Sequence, residues 1–281
     1  MDPFVFAAVL FAAACHASWN AVVKKGLDPL AATVVISIGA ATAAGPLVPL
    51  VGLPAAAAWP WVVASLAIHL FYFAGLIESY RAGDLSQVYP IARGAAPLLT
   101  ALGSTILIGE YIAPMAWAGI LLLGGGILLL SLSGGRGLGR LDRRAVGFAL
   151  FTAVTVSAYS LVDGNGARLA GNSTAYAAAL FIGTGPVMAI YALARRGRSI
   201  VPVMRHHWGI GLGGGALQLG SYGIALWAMT LAPIAIVAAL RETSVLFGAL
   251  IAVLVLREPL RAARIIAASA IVAGLVLIRL A

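Results

Sequence analysis

The segment SQVYPIARGAAPLLTALGSTILIGE, residues 86–110, is a long apolar run that carries one arginine and ends in a glutamate. A second segment of the same length, IAIVAALRETSVLFGALIAVLVLRE, lies 148 positions later at residues 234–258. At this offset Arg93 aligns with Arg241, and the two terminal glutamates align with each other. Apolar residues coincide easily by chance in such a sequence, but two charged pairs do not. We therefore infer an internal duplication.

The first part of the chain has its own counterpart, at an offset of 140 residues. Gly45-Pro46 aligns with Gly185-Pro186 at this offset. The change from 140 to 148 corresponds to eight extra residues in the second copy, placed most simply in the basic loop 195–207. The sequence therefore predicts two repeats, residues 1–140 and residues 141–281.

The composition places the chain in a membrane. Hydrophobic residues make up 62% of the sequence and charged residues 10%, which is too much apolar surface for a soluble domain of 281 residues. The apolar runs are continuous, which favours helices over a barrel, and each is long enough to cross the hydrocarbon layer. The ten predicted transmembrane helices are Phe4–Val23, Leu30–Val51, Pro60–Glu78, Leu85–Gly109, Pro114–Leu132, Ala145–Val162, Ser173–Ala194, Trp208–Met229, Pro233–Leu256 and Ala262–Leu280.

Each repeat contains five predicted spans, and this odd number determines how the repeats are oriented. The second repeat must enter the membrane upside down relative to the first. The sequence thus predicts an all-α integral membrane protein of ten helices in a 5+5 inverted repeat.

The net charge of +9 follows the predicted topology. Basic residues concentrate in the loops of one side, which the positive-inside rule assigns to the cytoplasm, so both termini are predicted to lie outside the cytoplasm. Because the charge is explained in this way, nucleic-acid binding is not expected. The richer side carries Lys24, Lys25, Arg81, Arg136, Arg140, Arg143, Arg144, Arg195, Arg196, Arg198, Arg205, Arg257, Arg261 and Arg264, and the other side carries Arg168 and Arg279.

No sequence pattern points to enzyme chemistry. Cys15 is the single cysteine, so an intramolecular disulfide and a cysteine metal cluster are excluded. Metalloprotease, nucleophile-elbow and phosphate-loop motifs are absent from the sequence. We predict that the protein is not an enzyme and that it has neither a cofactor nor a metal site.

Arg93 and Arg241 lie about eight residues inside their spans, or roughly 12 Å along the helix axis at 1.5 Å per residue. An arginine at mid-bilayer costs at least about 2.5 kcal/mol, so each is expected to face a polar cavity or a partner. The alternatives are snorkelling to the interface and a fixed ion pair that holds helices together. We predict that both arginines serve transport, as substrate or gate contacts.

Glu242 is the only acidic residue that the predicted spans place well inside the membrane. It is predicted either to bind a substrate ammonium or a proton, or to neutralise Arg93 across the bundle. Its neighbour Arg241 points to another side of the helix, because adjacent residues do not share a face.

Other polar and aromatic residues lie on the same spans. His69 and Tyr72 share one helix face, as do Gln218 and Tyr222. For the histidines and aromatic residues, interior packing is the alternative to a binding role. The full set predicted for substrate binding or gating is His16, Trp19, Asn20, His69, Tyr72, Tyr89, Arg93, Tyr159, Gln218, Tyr222, Trp227, Arg241 and Glu242.

At these residues the chain resembles the drug/metabolite transporter superfamily, in its ten-span EamA-like branch. The family pattern of an aromatic third span, a proline in the fourth and a glycine-glutamate at its end is matched by FYFAGL at 71–76, Pro97 and Gly109-Glu110. The second repeat departs from it, with Val245 at the proline position and Arg257 before the final glutamate. DLSQVYPIARG and LRETSVLFGALIAVLVLRE are further similar to amino-acid exporters of the YddG type.

The resemblance implies a basket of helices around a central cavity that opens alternately to each side of a bacterial inner membrane. The expected substrates are small amphipathic metabolites, amino acids above all, and the expected partners are the substrate and membrane lipid. The resemblance is compatible with a monomer or a dimer. A multidrug or nucleotide-sugar transporter is the alternative within the superfamily, and a passive channel or a membrane-embedded enzyme is the alternative from another class.

Overall fold

The computed structural model describes residues 1–23, 27–82, 85–132, 143–254 and 262–281. Within these ranges the chain is helical, without a β-strand. The helices are α1 (Pro3–Val23), α2 (Pro29–Ala44), α3 (Val48–Val51), α4 (Trp59–Ala82), α5 (Leu85–Gly103), α6 (Pro114–Leu132), α7 (Arg143–Leu169), α8 (Ser173–Arg196), α9 (Ile200–His206), α10 (Trp208–Leu231), α11 (Ile234–Arg241), α12 (Ser244–Leu254) and α13 (Ala262–Leu280).

Each predicted span is mostly helical at its described positions, and α6 and α13 have the predicted bounds. Among the described residues, seven helical segments are long and apolar enough to cross a membrane, and two shorter apolar helices accompany them. The fold is that of an all-helical integral membrane protein. The count of ten crossings remains a prediction.

Predicted and observed helices differ at several places, two of which concern the sixth and ninth spans. α7 continues to Leu169, seven residues beyond the predicted end at Val162, and therefore includes Asp163. The predicted ninth span is not one helix, because α11 ends at Arg241 and α12 begins at Ser244. Both differences bear on the functional site.

Most of the extensive helix contacts join the first half of the chain to the second. α6 lies along α13, and α2 lies along α8. α4 packs on α7 and α10 packs on α1, while α2 contacts α10 and α8 contacts α4. α5 packs on α7, and α11 and α12 pack on α1. The core of the protein therefore lies between the two halves.

Glycines allow the closest of these approaches, between α2 and α10. A Cβ atom on Gly211 would meet the backbone of Val35, and one on Gly215 would overlap the backbone of Gly39 and Ala40. Small residues let helices pack backbone to backbone in a membrane, where no hydrophobic force drives them together. Gly211 and Gly215 therefore allow α2 and α10 to pack closely.

Ion pairs tie helix ends together at the margins of the fold. Arg196 binds both carboxylate oxygens of Asp28 at 2.7 Å, which joins the end of α8 to the start of α2. Arg195 binds Glu78 at 2.9 Å, which joins the same end of α8 to α4. These pairs fix the helix ends around a common margin of the bundle.

Candidate functional site

Arg93 lies on α5 between two partners from distant parts of the chain. Its Nη1 donates to both carboxylate oxygens of Glu242, at 3.0 and 3.2 Å. Its Nη2 donates to His16 Nε2 at 2.8 Å. A guanidinium cannot accept a hydrogen bond, so His16 accepts through Nε2 and its ring is neutral. Of the two roles predicted for Glu242, the structure displays the neutralisation of Arg93.

This ion pair is enclosed by protein. Arg93 is 6% exposed and Glu242 is 4% exposed. A buried pair of this kind has low energy only while both members are present, because either charge alone would be uncompensated. The pair therefore fastens α5 of the first half to the α11–α12 junction of the second half.

The break between α11 and α12 places two opposite charges at favourable helix ends. Arg241 is the last residue of α11, and Glu242 precedes the first turn of α12. A cation is favoured at a helix C-terminus and an anion at an N-terminus. Thr243 donates its side-chain hydroxyl to the carbonyl of Leu240, a bond that competes with regular helix. Interrupted helices at membrane depth are typical of transporter binding sites.

Arg241 has surroundings unlike those of Arg93. Its guanidinium carbon lies 4.6 Å from the centre of the Tyr222 ring, a cation–π arrangement. The side chain is half-buried. Within the described part of the chain, its five N–H donors find no hydrogen-bond acceptor and no carboxylate. The arrangement leaves a cation able to bind an anionic group.

An aromatic cluster surrounds Tyr222 and contains four of the predicted site residues. The ring of His69 stacks on Tyr159, with centroids 4.4 Å apart, and meets Tyr222 edge-on at 6.3 Å. Tyr72 meets Tyr159 edge-on at 5.5 Å. Three separate helices, α4, α7 and α10, thus bring His69, Tyr72, Tyr159 and Tyr222 together.

The orientation of His69 is fixed by its own helix. Nδ1 lies 2.9 Å from the carbonyl oxygen of Ser65 and 3.0 Å from the Ser65 hydroxyl. A carbonyl only accepts, so Nδ1 carries a proton, and in the neutral ring Nε2 is then the acceptor. The histidine adds a hydrogen-bond acceptor to the cluster.

Two buried polar atoms near these residues lack partners. Gln218 Oε1 and Ser244 Oγ form no hydrogen bond among the described residues. Gln218 precedes Tyr222 by one helical turn, about 6 Å along α10 at 1.5 Å per residue. Buried polar atoms are nearly always paired, so an unpaired one indicates a bound molecule or water.

Asp163 is a site residue that sequence reasoning missed. It is 0% exposed, and Tyr176 donates to its Oδ1 at 2.9 Å while Tyr222 donates to its Oδ2. The predicted spans implied that Glu242 is the only acidic residue deep in the bundle. The burial of Asp163 shows that this prediction is wrong. The signal was the extent of α7, because a helix continued by one more turn would have placed Asp163 inside.

The remaining predicted residues lie elsewhere or outside the described side chains. Trp227 lies on α10, but its ring packs edge-on against Phe4 with centroids 6.0 Å apart. It makes no ring contact with the aromatic cluster among the described residues. Trp19, Asn20 and Tyr89 belong to α1 and α5, and their side chains fall outside the described part of the structure.

Glu110 lies beyond the C-terminal end of α5 and contacts the second half of the chain. Its carboxylate accepts from the Ser104 hydroxyl, from Arg168 and, at 2.8 Å, from the backbone N–H of Ile234 at the start of α11. Arg168 also donates to the carbonyl of Ala232 at 3.1 Å. Glu110 therefore caps a helix of the other half. Its repeat counterpart, Glu258, lies outside the described residues.

Comparison with known proteins relates the second half of the chain to a known family. Residues 143–280 match the sequence model of the EamA-like transporter family. A solved structure described only as a crystal structure of a protein is similar over 99% of this chain and 96% of its own, with a TM-score of 0.73 and 20% identity. At that identity the similarity concerns the fold alone. No curated protein matches the sequence.

Proposed function

We propose that this chain, a member of the drug/metabolite transporter superfamily with an EamA-like transporter domain at residues 143–280, is a secondary carrier of amino acids. It works by alternating access. The family carries the assignment to transport and to a multi-pass membrane protein, and speaks against an enzyme. The substrate class and the mode of transport are our proposal.

The observation that carries the substrate class is the presence of two unsatisfied groups, one against the Tyr222 ring and one a helical turn from Tyr222 along α10. Arg241 offers an unpaired guanidinium over the face of Tyr222. Gln218, one turn away, offers an unpaired carbonyl oxygen. A guanidinium binds a carboxylate through two parallel hydrogen bonds, and an amide oxygen accepts from an ammonium. A zwitterionic amino acid presents both groups.

The aromatic cluster supports an amphipathic substrate. His69, Tyr72 and Tyr159 offer ring faces and edges next to the polar pair. Binding sites for small molecules combine apolar and aromatic walls with a few polar groups that fix orientation. Among amino acids, those with large apolar side chains suit this cluster best.

Alternating access is supported by the arrangement of the halves. The helix contacts occur in exchanged pairs: α4 with α7 and α10 with α1, α2 with α10 and α8 with α4. Such pairs are expected when two inverted five-helix repeats rock against each other around a shared site. We propose that Glu110, by capping α11 across the halves, closes one end of the central cavity.

Counterflow in liposomes tests the function. Proteoliposomes loaded with unlabelled phenylalanine should accumulate external labelled phenylalanine in a saturable manner, because a carrier exchanges bound substrate. Excess 3-phenylpropionate lacks the ammonium and 2-phenylethylamine lacks the carboxylate, so each should compete less well than phenylalanine. A flux that does not saturate would indicate a channel. Saturable exchange that ignores every amino acid would retain a carrier and reject this substrate class.

The orientation has its own test. Alkaline phosphatase fused after Ala281 should be active, and a fluorescent protein that folds only in the cytoplasm should stay dark there. The reverse pattern would overturn the proposal that both termini lie outside the cytoplasm.

A further inference from the structure

Asp163 is the most completely enclosed charge in the described part of the bundle. Its side chain is 0% exposed, and each carboxylate oxygen receives one phenol hydrogen bond, from Tyr176 and from Tyr222. Within the described residues no cation pairs with it. The two phenol hydrogen bonds favour the carboxylate, but burying it without a cation is unfavourable, and binding a proton removes that cost.

Arg241, which has no ion pair among the described residues, is linked to Asp163 through a single side chain. Arg241 lies over the ring of Tyr222, and the hydroxyl of the same tyrosine binds Asp163. The other interior cation, Arg93, is occupied by Glu242. Ionised Asp163 therefore balances Arg241 when no substrate is bound. A substrate carboxylate on Arg241 would take this counter-charge from Asp163, while the substrate ammonium is held by Gln218, one helical turn from Tyr222.

We propose that Asp163 is a proton-binding site, and that a proton at Asp163 and a carboxylate at Arg241 favour each other's binding. The second half of this inference rests on the proposed carrier function. Since the linkage is reciprocal, proton and substrate bind together and cross in the same direction. An inward proton gradient then drives uptake of the substrate.

The step conserves atoms and charge. Hydronium transfers a proton to an oxygen of Asp163, an O–H bond forms, and water is released. The carboxylic acid then donates to the Tyr222 oxygen, whose own hydroxyl must turn to another acceptor because a phenol has one proton. The orientation of the Tyr222 hydroxyl thus depends on the charge of Asp163. This hydroxyl belongs to the ring over which Arg241 lies.

Other titratable groups face the same region and must be separated from Asp163. His69 of α4 lies within electrostatic reach of both Asp163 and Arg241 of α11. On α7 itself, Tyr159 lies within the field of Asp163, Arg241, Arg93 and Glu242. Of all these groups, only Asp163 and Glu242 yield a carboxylic-acid carbonyl when protonated, and Glu242 is held by Arg93.

Infrared difference spectroscopy tests the proton site without a substrate. Acidifying the purified protein should produce a carboxylic-acid carbonyl band that is lost in Asp163→Asn and kept in Glu78→Gln, a matched carboxylate at the margin of the bundle. Tyr176→Phe removes only one hydrogen-bond donor, and it should shift the frequency of the band. If Asp163→Asn does not fold, this shift decides the assignment. A band indifferent to both variants overturns the proton site.

Two measurements test the linkage. Arg241→Ala should change the pH at which the Asp163 band appears, whereas Arg196→Ala should not. Above the pH at which the Asp163 band disappears, the Kd for phenylalanine should rise about tenfold per pH unit, as expected for uptake of one proton. This holds over the pH range where phenylalanine is zwitterionic. Asp163→Asn should bind phenylalanine with a flat pH profile. An unchanged band in Arg241→Ala overturns the linkage, even if phenylalanine does not bind and the proposed substrate class fails with it.

Discussion

Arg93 and Arg241 align at the offset of 148 residues, yet their surroundings differ. Arg93 is enclosed and donates to Glu242 and His16. Arg241 is half-buried and lies over Tyr222 without an ion pair among the described residues. The two aligned positions therefore share a charge but not its surroundings. We propose that Arg93 serves the structure and Arg241 the substrate.

Single residues outside the repeated pattern cause this divergence. Glu242 aligns with Gly94 in the first repeat, and Asp163 aligns with Val23. Both interior carboxylates thus belong to the second repeat. One reaches across the bundle to Arg93, and the other sits behind Tyr222 next to Arg241. The surroundings of the two arginines differ because both acidic residues lie in the same half of the chain.

The largest effect is expected from breaking the buried pair. Glu242→Ala should lower the free energy of unfolding by about 3–5 kcal/mol, because Arg93 would be left as an uncompensated buried charge. Thermal unfolding of the purified protein in detergent measures this loss. Arg93→Met combined with Glu242→Leu removes both charges and should recover most of the stability.

The contrast between the two arginines makes this a sharp test. Arg241→Ala breaks no ion pair among the described residues and should unfold close to the temperature of the unaltered protein. If it lost as much stability as Glu242→Ala, both arginines would be structural.

Gln218 should affect binding but not folding. Gln218→Leu replaces a buried, unpaired oxygen with an apolar group of similar size, so stability should be unchanged or slightly higher. The affinity for phenylalanine should fall about tenfold or more, since a hydrogen bond to a charged group contributes about 1.5–3 kcal/mol. Competition in the counterflow assay measures the affinity. An unaltered affinity would remove Gln218 from the site.

Much of this architecture could be predicted from the sequence. Hydropathy located the helices, since apolar length alone determines them. The offset of the two arginines identified the residues that deserve comparison. Helical spacing also predicted that His69 shares a face with Tyr72, and Gln218 with Tyr222. These features depend on local patterns.

The partners of the buried charges could not be predicted, because they depend on tertiary contacts. The segment DGNGAR at 163–168 is typical of a loop by composition, yet it is helical. A Cβ atom on Gly164 would overlap Ile234, and one on Gly166 would overlap the Tyr176 ring. Packing against other helices thus overrides the local preference of these glycines. The break between α11 and α12 likewise lies at Glu242, whose partner Arg93 is distant in the sequence.

The smallest effect is expected at the exposed pair of Asp28 and Arg196. Partial burial opposes ionisation, but the Arg196 side chain and the N–H groups of Ala31 and Leu30 hold the pKa of Asp28 below its usual range. A depressed pKa means that the stabilisation is present at neutral pH and is lost as the pH falls through the folded value. Asp28→Asn should cost at most about 1 kcal/mol at neutral pH, because solvent screens the pair.

The stability lost on breaking this exposed pair serves as a reference for the loss at the buried pair. The difference in stability between Asp28→Asn and the unaltered protein should shrink on acidification, as followed by thermal unfolding across pH. A loss that matched that of Glu242→Ala would mean that burial does not determine the strength of these pairs.

The division of roles between the arginines is tested most directly at Arg241. Phenylalanine counterflow and the unfolding temperature should be measured together for Arg241→Ala and Arg241→Lys in liposomes and in detergent. We predict that Arg241→Ala keeps its fold and loses at least about tenfold in exchange, and that Arg241→Lys recovers part of it, because an ammonium keeps the charge but lacks the planar fork. Normal exchange by Arg241→Ala, or loss of exchange only through unfolding, would contradict the assignment of Arg241 to the substrate.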